Sequence, residues 1–161
     1  MSARVEKMSV GTARAMFFLY SALNGIVFSS VFLIYQVTSL VFVFGATALF
    51  FGIMAVLGYT TNADFSRLRS FMLGGLVFLA AFWILSMFIN LSQFETAICT
   101  LGIFLFLVIT AYDTKKIREF HQIYSGRPEM AAKASIFAAL GLYLDFINLF
   151  LYLFRVLGKR K

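Results

Sequence analysis

The sequence predicts an all-α, multi-pass integral membrane bundle of about five helices. Three observations carry that expectation. The 161 residues are 61% hydrophobic and only 13% charged, where an ordinary soluble domain is roughly half apolar and about a quarter charged; a chain this short keeps too much exposed surface to hide such a composition from water. No charged residue occurs from Ala15 to Ala63, a run of 49 positions, whereas about 20 apolar residues suffice to cross a bilayer as a helix. The apolar blocks are continuous rather than alternating, unlike the roughly ten-residue strands of a membrane barrel. The same composition excludes disorder, which needs low hydrophobicity and high charge.

The charged and polar residues punctuate the spans. The uncharged run must hold two of them, divided at Gln36-Val37-Thr38-Ser39, so the first helix is expected at Ala15–Tyr35 and the second at Val37–Gly58. The basic residues ahead of the first block imitate a signal peptide, but that block is too long for an h-region and lacks a clear cleavage site, so it reads as a retained span. A polar stretch from Tyr59 to Ser70 precedes a third helix at Phe71–Leu91, and Ser92 to Glu95 leads to a fourth at Thr96–Tyr112. The fourth block has only 17 residues, near the lower limit for a span. Ile117, Phe120 and Tyr124 repeat at helical spacing and point to a continuation past Asp113. A charged connection, Asp113–Lys133, is expected next, then a fifth helix at Ala134–Leu157 closed by Gly158 as a C-terminal cap.

The net charge of +7 is explained by topology rather than by nucleic acid, because the basic residues sit in short runs between apolar blocks. Arg4, Lys7 and Arg14, then Arg67 and Arg69, then Lys115, Lys116, Arg118, Arg127 and Lys133 would share one side, ten against none in the first and third connections. That bias places the N-terminus in the cytoplasm. Arg155, Lys159, Arg160 and Lys161 would land outside if the last block crosses fully and inside if it is re-entrant; block length favours crossing and charge favours re-entry. Small residues predict close helix packing at Ser21, Gly25 and Ser29, with similar rows at Ala48 and Gly52 and at Ala134 and Ala138.

Asp145 is the most informative residue, because it stands in the middle of a 24-residue apolar block. An ionisable group there is expensive and usually marks an ion or proton path, although a protonated structural acid is the plain alternative. Asn148, three residues on, shares its helical face as a supporting polar group. Asp113 is the other acid placed to approach Asp145. The two meet only if the fourth helix runs on past Asp113 and the first turns of the last block, Ala134–Leu140, lie near or outside the interface. Two like charges in a low-dielectric site cannot both ionise cheaply, so such a pair would hold one shared proton, and losing it would push the helices apart. Facing a cavity, the pair would also attract calcium, which prefers oxygen ligands.

Glu95, at the start of the fourth helix, is explained by the helix dipole or as an attractor of cations at an outer mouth. Asn24 is a candidate for hydrogen bonding between helices, His121 is expected in a charged loop, and Cys99 as packing. One cysteine and one histidine exclude a disulfide framework and a structural zinc site. No catalytic constellation is visible, so the expectation is a protein without enzyme activity and without a cofactor.

Several strings are recognisable. Leu142-Tyr143-Leu144-Asp145-Phe146-Ile147-Asn148-Leu149-Phe150 resembles the hallmark C-terminal segment of the Bax inhibitor / YccA-like family. Thr110-Ala111-Tyr112-Asp113-Thr114 resembles its second hallmark. Gly58-Tyr59-Thr60-Thr61 followed by Asp64 resembles the segment after its fourth helix, and Tyr20-Ser21-Ala22-Leu23-Asn24-Gly25 its third helix. The resemblance runs from about Met8 to Lys161. It implies a seven-helix architecture of which this chain holds helices three to seven, as one membrane domain over residues 1–161 that starts just before the third helix. It further implies a pH-sensitive calcium leak gated by two aspartates that match Asp113 and Asp145, with calcium as the transported ion. Bacterial members restrain an FtsH-type membrane protease, which makes a non-conducting regulator the alternative; a fragment without independent activity is a third. Besides the lipid bilayer, such a protease is the expected partner, and the bacterial inner membrane the expected location.

Overall fold

The computed structural model describes residues 8–159. Arg4 and Lys7 of the N-terminal basic group, and Arg160 and Lys161 of the C-terminal one, lie outside them. The described chain folds into five helices joined by short connections: α1 at Val10–Ile34, α2 at Val37–Thr60, α3 at Leu68–Ser86, α4 at Glu95–Tyr124 and α5 at Pro128–Leu157. A single 3₁₀ turn, Ser92–Phe94, leads into α4. All five are long and apolar enough to cross a membrane, so the chain is an all-α, multi-pass membrane protein.

Several helix boundaries depart from the expected ones, most of them where a charge suggests a break. The first helix begins at Val10 rather than Ala15, because Ser9 accepts a bond from the Thr12 N–H and caps it; Arg14 therefore rides on the helix. The third helix ends at Ser86, five residues before Leu91, and the apolar residues Met87 and Phe88 turn over it with exposed side chains. The largest correction concerns the charged connection expected at Asp113–Lys133. Nearly all of it is helical: α4 runs on to Tyr124, α5 starts at Pro128, and only residues 125–127 join them. Pro128 occupies the first turn of α5, where its missing N–H costs nothing, and Glu129 sits where the helix dipole favours an acid. His121 accordingly lies in the last turn of α4, not in a loop. Lys133, expected as a loop charge, is 6% exposed and pairs with Glu129 at 2.9 Å one turn away.

A helix of 30 residues is about 45 Å long against a hydrocarbon core of roughly 30 Å. Both α4 and α5 are thus longer than the apolar layer is thick, which leaves length to carry their charged turns beyond it. They pair along their length and form the centre of the bundle. The α2 helix packs on both, α1 lies on α5, and α3 lies on α4. Fully buried Val43 and Thr47 of α2, Cys99 and Thr110 of α4 and Leu149 of α5 mark the core. The Thr47 and Thr110 hydroxyls donate back to Val43 O and Phe106 O of their own helices, which satisfies them without a partner helix. An aromatic ladder holds α1 and α2 to α5: Phe28 meets Phe150 at 5.7 Å and Tyr35 meets Phe154 at 4.4 Å, while Phe44 and Phe51 flank Phe146 at 5.5 and 5.4 Å.

The last block crosses the whole bundle. Lys159 at its end accepts from the Gln36 N–H at 3.3 Å and donates its own N–H to Ser39 Oγ at 2.9 Å, so the C-terminal end of α5 sits beside the α1–α2 turn. Block length, not charge, therefore decides between the two alternatives for Arg155 and Lys159.

The close packing expected at the small-residue row of α1 is not there. A β-carbon placed on Gly25 would meet nothing within 4 Å, and one on Gly52 of α2 would meet nothing either. The glycines crowded by another helix are Gly58 against the Ala111 backbone, Gly75 against Leu105 and Gly102 against Tyr152. Gly25→Ala should accordingly leave the thermal midpoint in detergent unchanged or raise it, since alanine is the better helix former by about 1 kcal/mol. A clear drop would show a hidden contact at that face.

Candidate functional site

The site is built from α4 and α5. In an α-helix each Cα–Cβ bond leans toward the helix N-terminus. The two helices are antiparallel, with Glu95 at the start of α4 paired to Arg155 near the end of α5 at 3.2 Å. Side chains on their facing surfaces therefore lean toward one another. Asp113 Oδ2 lies 3.4 Å from where a β-carbon on Gly141 would stand, and Asp145 is one turn further along α5. Asp113 leans up from α4, Asp145 leans down from α5, and their carboxyl groups interact directly. Gly141 leaves the room for this.

Asp145 is 5% exposed, and its Oδ2 receives no donor among the described residues. Its neighbour across the helix interface is itself a carboxyl. A proton on either acid turns that contact into a hydrogen bond; without one, two acceptors face each other. Asp113 is half-buried and borders a cavity of about 150 Å³ lined by Lys116, Ile117, Phe120, Phe137, Ala138 and Gly141. One condition set by the sequence for this meeting is fulfilled: α4 continues for three turns past Asp113.

Asn148, Asn24 and Glu95 do not join the pair. The Asn148 amide donates to Leu144 O of its own helix at 2.8 Å. Asn24, expected to bond between helices, donates to Tyr20 O within α1 at 2.9 Å. Glu95 stands at the other end of α4, 18 residues from Asp113, or about 27 Å. There it pairs with Arg155, whose guanidinium also covers the Trp83 ring at 4.0 Å. Trp83 in turn donates Nε1–H to the Tyr152 hydroxyl at 3.2 Å, which ties α3 to the central pair.

Two residues that composition marked only as topology charges have a positional role. The Arg118 guanidinium donates to Tyr59 O at 2.6 Å, Thr61 O at 3.3 Å and Asn62 Oδ1 at 3.2 Å. Lys115 donates to Ala63 O. Together they occupy the carbonyl end of α2, where the last turn leaves acceptors unsatisfied and the helix dipole favours cations. The signal in sequence is their i, i+3 spacing after Asp113, visible only once the helix is known to continue. In the connection that they hold, Asp64 accepts the Ser66 N–H at 2.9 Å, and this bond keeps its carboxyl below its ordinary range.

Among the described residues no group of three or more His, Cys, Asp and Glu could hold a metal ion. What the arrangement offers is a two-carboxylate contact beside a small cavity, suited to holding a proton or to transient contact with a cation.

The sequence model of the family described as "Inhibitor of apoptosis-promoting Bax1" matches residues 1–161. A protein of Borreliella burgdorferi is 42% identical over 160 residues, which are 99% of this chain and 69% of that protein. The "Inner membrane protein YbhL" of Escherichia coli is 37% identical over 162 residues, 100% of this chain and 69% of its own length. A protein of Rickettsia prowazekii is 39% identical over 155 residues, 96% of this chain and 65% of that protein.

Proposed function

Because the chain belongs to the Bax inhibitor family, we propose that it is a proton-gated leak for calcium across a bacterial inner membrane, with its N-terminus in the cytoplasm. The observation that carries this reading is the meeting of Asp113 and Asp145, one of them buried with an oxygen that lacks a donor. A shared proton holds α4 against α5. When the proton leaves, two negative charges remain in a low-dielectric contact, which favours separation of the helices. Separation exposes two carboxylates to the adjoining cavity, and their oxygens suit calcium. Two ligands bind weakly, as conduction needs: a path must let the ion leave as readily as it enters. The inner-membrane location is supported by the likeness to YbhL. The orientation is supported by the grouping of Arg14, Arg67, Arg69, Arg127 and the basic turns of α4 at one end of the bundle.

The sign of the pH dependence follows. Flux is low while the pair keeps its proton and rises as pH rises. In Asp113→Asn or Asp145→Asn the asparagine amide donates to the remaining carboxylate at every pH, so flux is expected to be low and flat. Calcium entry into dye-loaded liposomes, followed from acidic to mildly alkaline pH, checks this. Unchanged pH-dependent flux in both variants would overturn the assignment of the pair. Absence of flux from the unaltered chain at every pH would overturn conduction itself and favour a non-conducting regulator, detectable by co-purification of an FtsH-type protease.

A further inference from the structure

We propose that Lys116 is a tethered cation at the mouth of the Asp113 cavity, and that it sets how readily a divalent cation reaches the two carboxylates. The proposal deepens the reading of that site as a cation path. Lys116 lies three residues after Asp113, on the same face of α4. It lines the 150 Å³ cavity that Asp113 and Gly141 border, and it is the one cation among the described residues that do so. It also lines a second cavity, of about 190 Å³, on the side of the α2–α3 connection. Lys116 is thus shared by the cavity beside Asp113 and by a second cavity that Asp64 and Glu119 also line. Its place is set by two rings of its own helix: Nζ lies 5.3 Å from the Phe120 centroid and 6.0 Å from that of Tyr112.

The neighbouring cations are engaged elsewhere. Lys115 and Arg118 are held by the α2–α3 connection, and Lys133 by Glu129. Among the described residues Lys116 forms no close ion pair, and it interacts with the Asp113 carboxylate through space. The second observation that points to a ligand is the Asp145 carboxyl, 5% exposed as a residue, which interacts with that of Asp113 and whose Oδ2 receives no donor among the described residues. A divalent ion in the cavity that Lys116 lines meets the repulsion of its ammonium. Coulomb repulsion in a partly desolvated site is far stronger than in water. The ammonium also supplies part of the positive charge that the carboxylates would otherwise draw from a solute ion.

The test uses the whole chain in detergent, with terbium(III) as a luminescent probe of calcium-type oxygen sites and calcium as competitor. Lys116→Gln and Lys116→Met are expected to bind terbium about tenfold more tightly than the unaltered chain, and Lys116→Arg to bind it equally. Adding Asp145→Asn to Lys116→Gln should remove the gain. Equal affinity in Lys116→Gln, a gain shared by Lys116→Arg, or a gain that survives Asp145→Asn would each overturn the proposal, with circular dichroism confirming that the variants fold. Liposome flux separates this idea from the one it rests on. A terbium gain without flux leaves the tethered cation standing and removes conduction; pH-dependent flux without a terbium gain does the reverse.

Discussion

Gly58→Leu is expected to leave little folded protein, and Gly58→Ala to lower the thermal midpoint in detergent clearly. The α2 and α4 backbones cross at this position. A β-carbon on Gly58 would fall against Ala111 O, with Ala111 Cα at 2.7 Å and its carbonyl carbon at 2.8 Å. All three are backbone atoms, which cannot turn aside as the end of a flexible side chain can. The helices must separate instead. In lipid that is costly, because van der Waals packing between close backbones is a main source of helix association there. Overpacking of this kind costs about 1–3 kcal/mol for one methyl group, and more for a larger side chain. Ala111 also precedes Asp113 by two residues, so the displacement carries the site with it. On the proposed leak, Gly58→Ala should therefore lose calcium flux even at temperatures where it remains folded. An unaltered midpoint together with unaltered flux would show that the helices do not approach so closely.

Arg118→Ala is expected to loosen the connection between α2 and α3 without unfolding the bundle. One guanidinium satisfies three acceptors at the end of α2, and hydrogen bonds to a charged group contribute about 1.5–3 kcal/mol when well shielded. Two of these bonds are solvent-exposed, so the total cost should stay near the lower figure, about 1–2 kcal/mol. The local effect is larger. Trypsin cleavage after Arg67 and Arg69, which flank the start of α3, should accelerate several-fold. Arg118→Lys should fall between, since a single ammonium cannot match a fork that reaches Tyr59, Thr61 and Asn62 together. Cleavage at the unaltered rate would show that Lys115, through Ala63, holds the connection alone.

The number and order of the membrane helices were legible in the sequence, because lipid forbids unpaired backbone and charge over about 20 residues. Their ends were less so. Arg14 and Lys133 read as charges outside the helices, yet both lie on helices, because a helix can outrun the apolar layer and carry its charges into water. Asp145 was conspicuous as an acid in an apolar block, whereas Asp113 looked ordinary at a boundary. Only the continuation of α4 and the antiparallel lean of its side chains join it to Asp145. The i, i+3 spacing of Lys115 and Arg118 did not reveal what they hold, and Gly58 had no local signature, since each depends on a partner more than 50 residues away.

By itself, then, the sequence determined an all-α, multi-pass membrane protein of the Bax inhibitor family, five helices in order, and one acid stranded among apolar residues. These follow from composition and from patterns within single helices. The tertiary structure decided which helices touch, that the last one crosses completely, that Gly58 rather than Gly25 is the close approach, and that Lys116 borders the cavity beside the carboxylates. These depend on where the helix ends fall in space, and the ends are set by packing between distant segments, which no local pattern records.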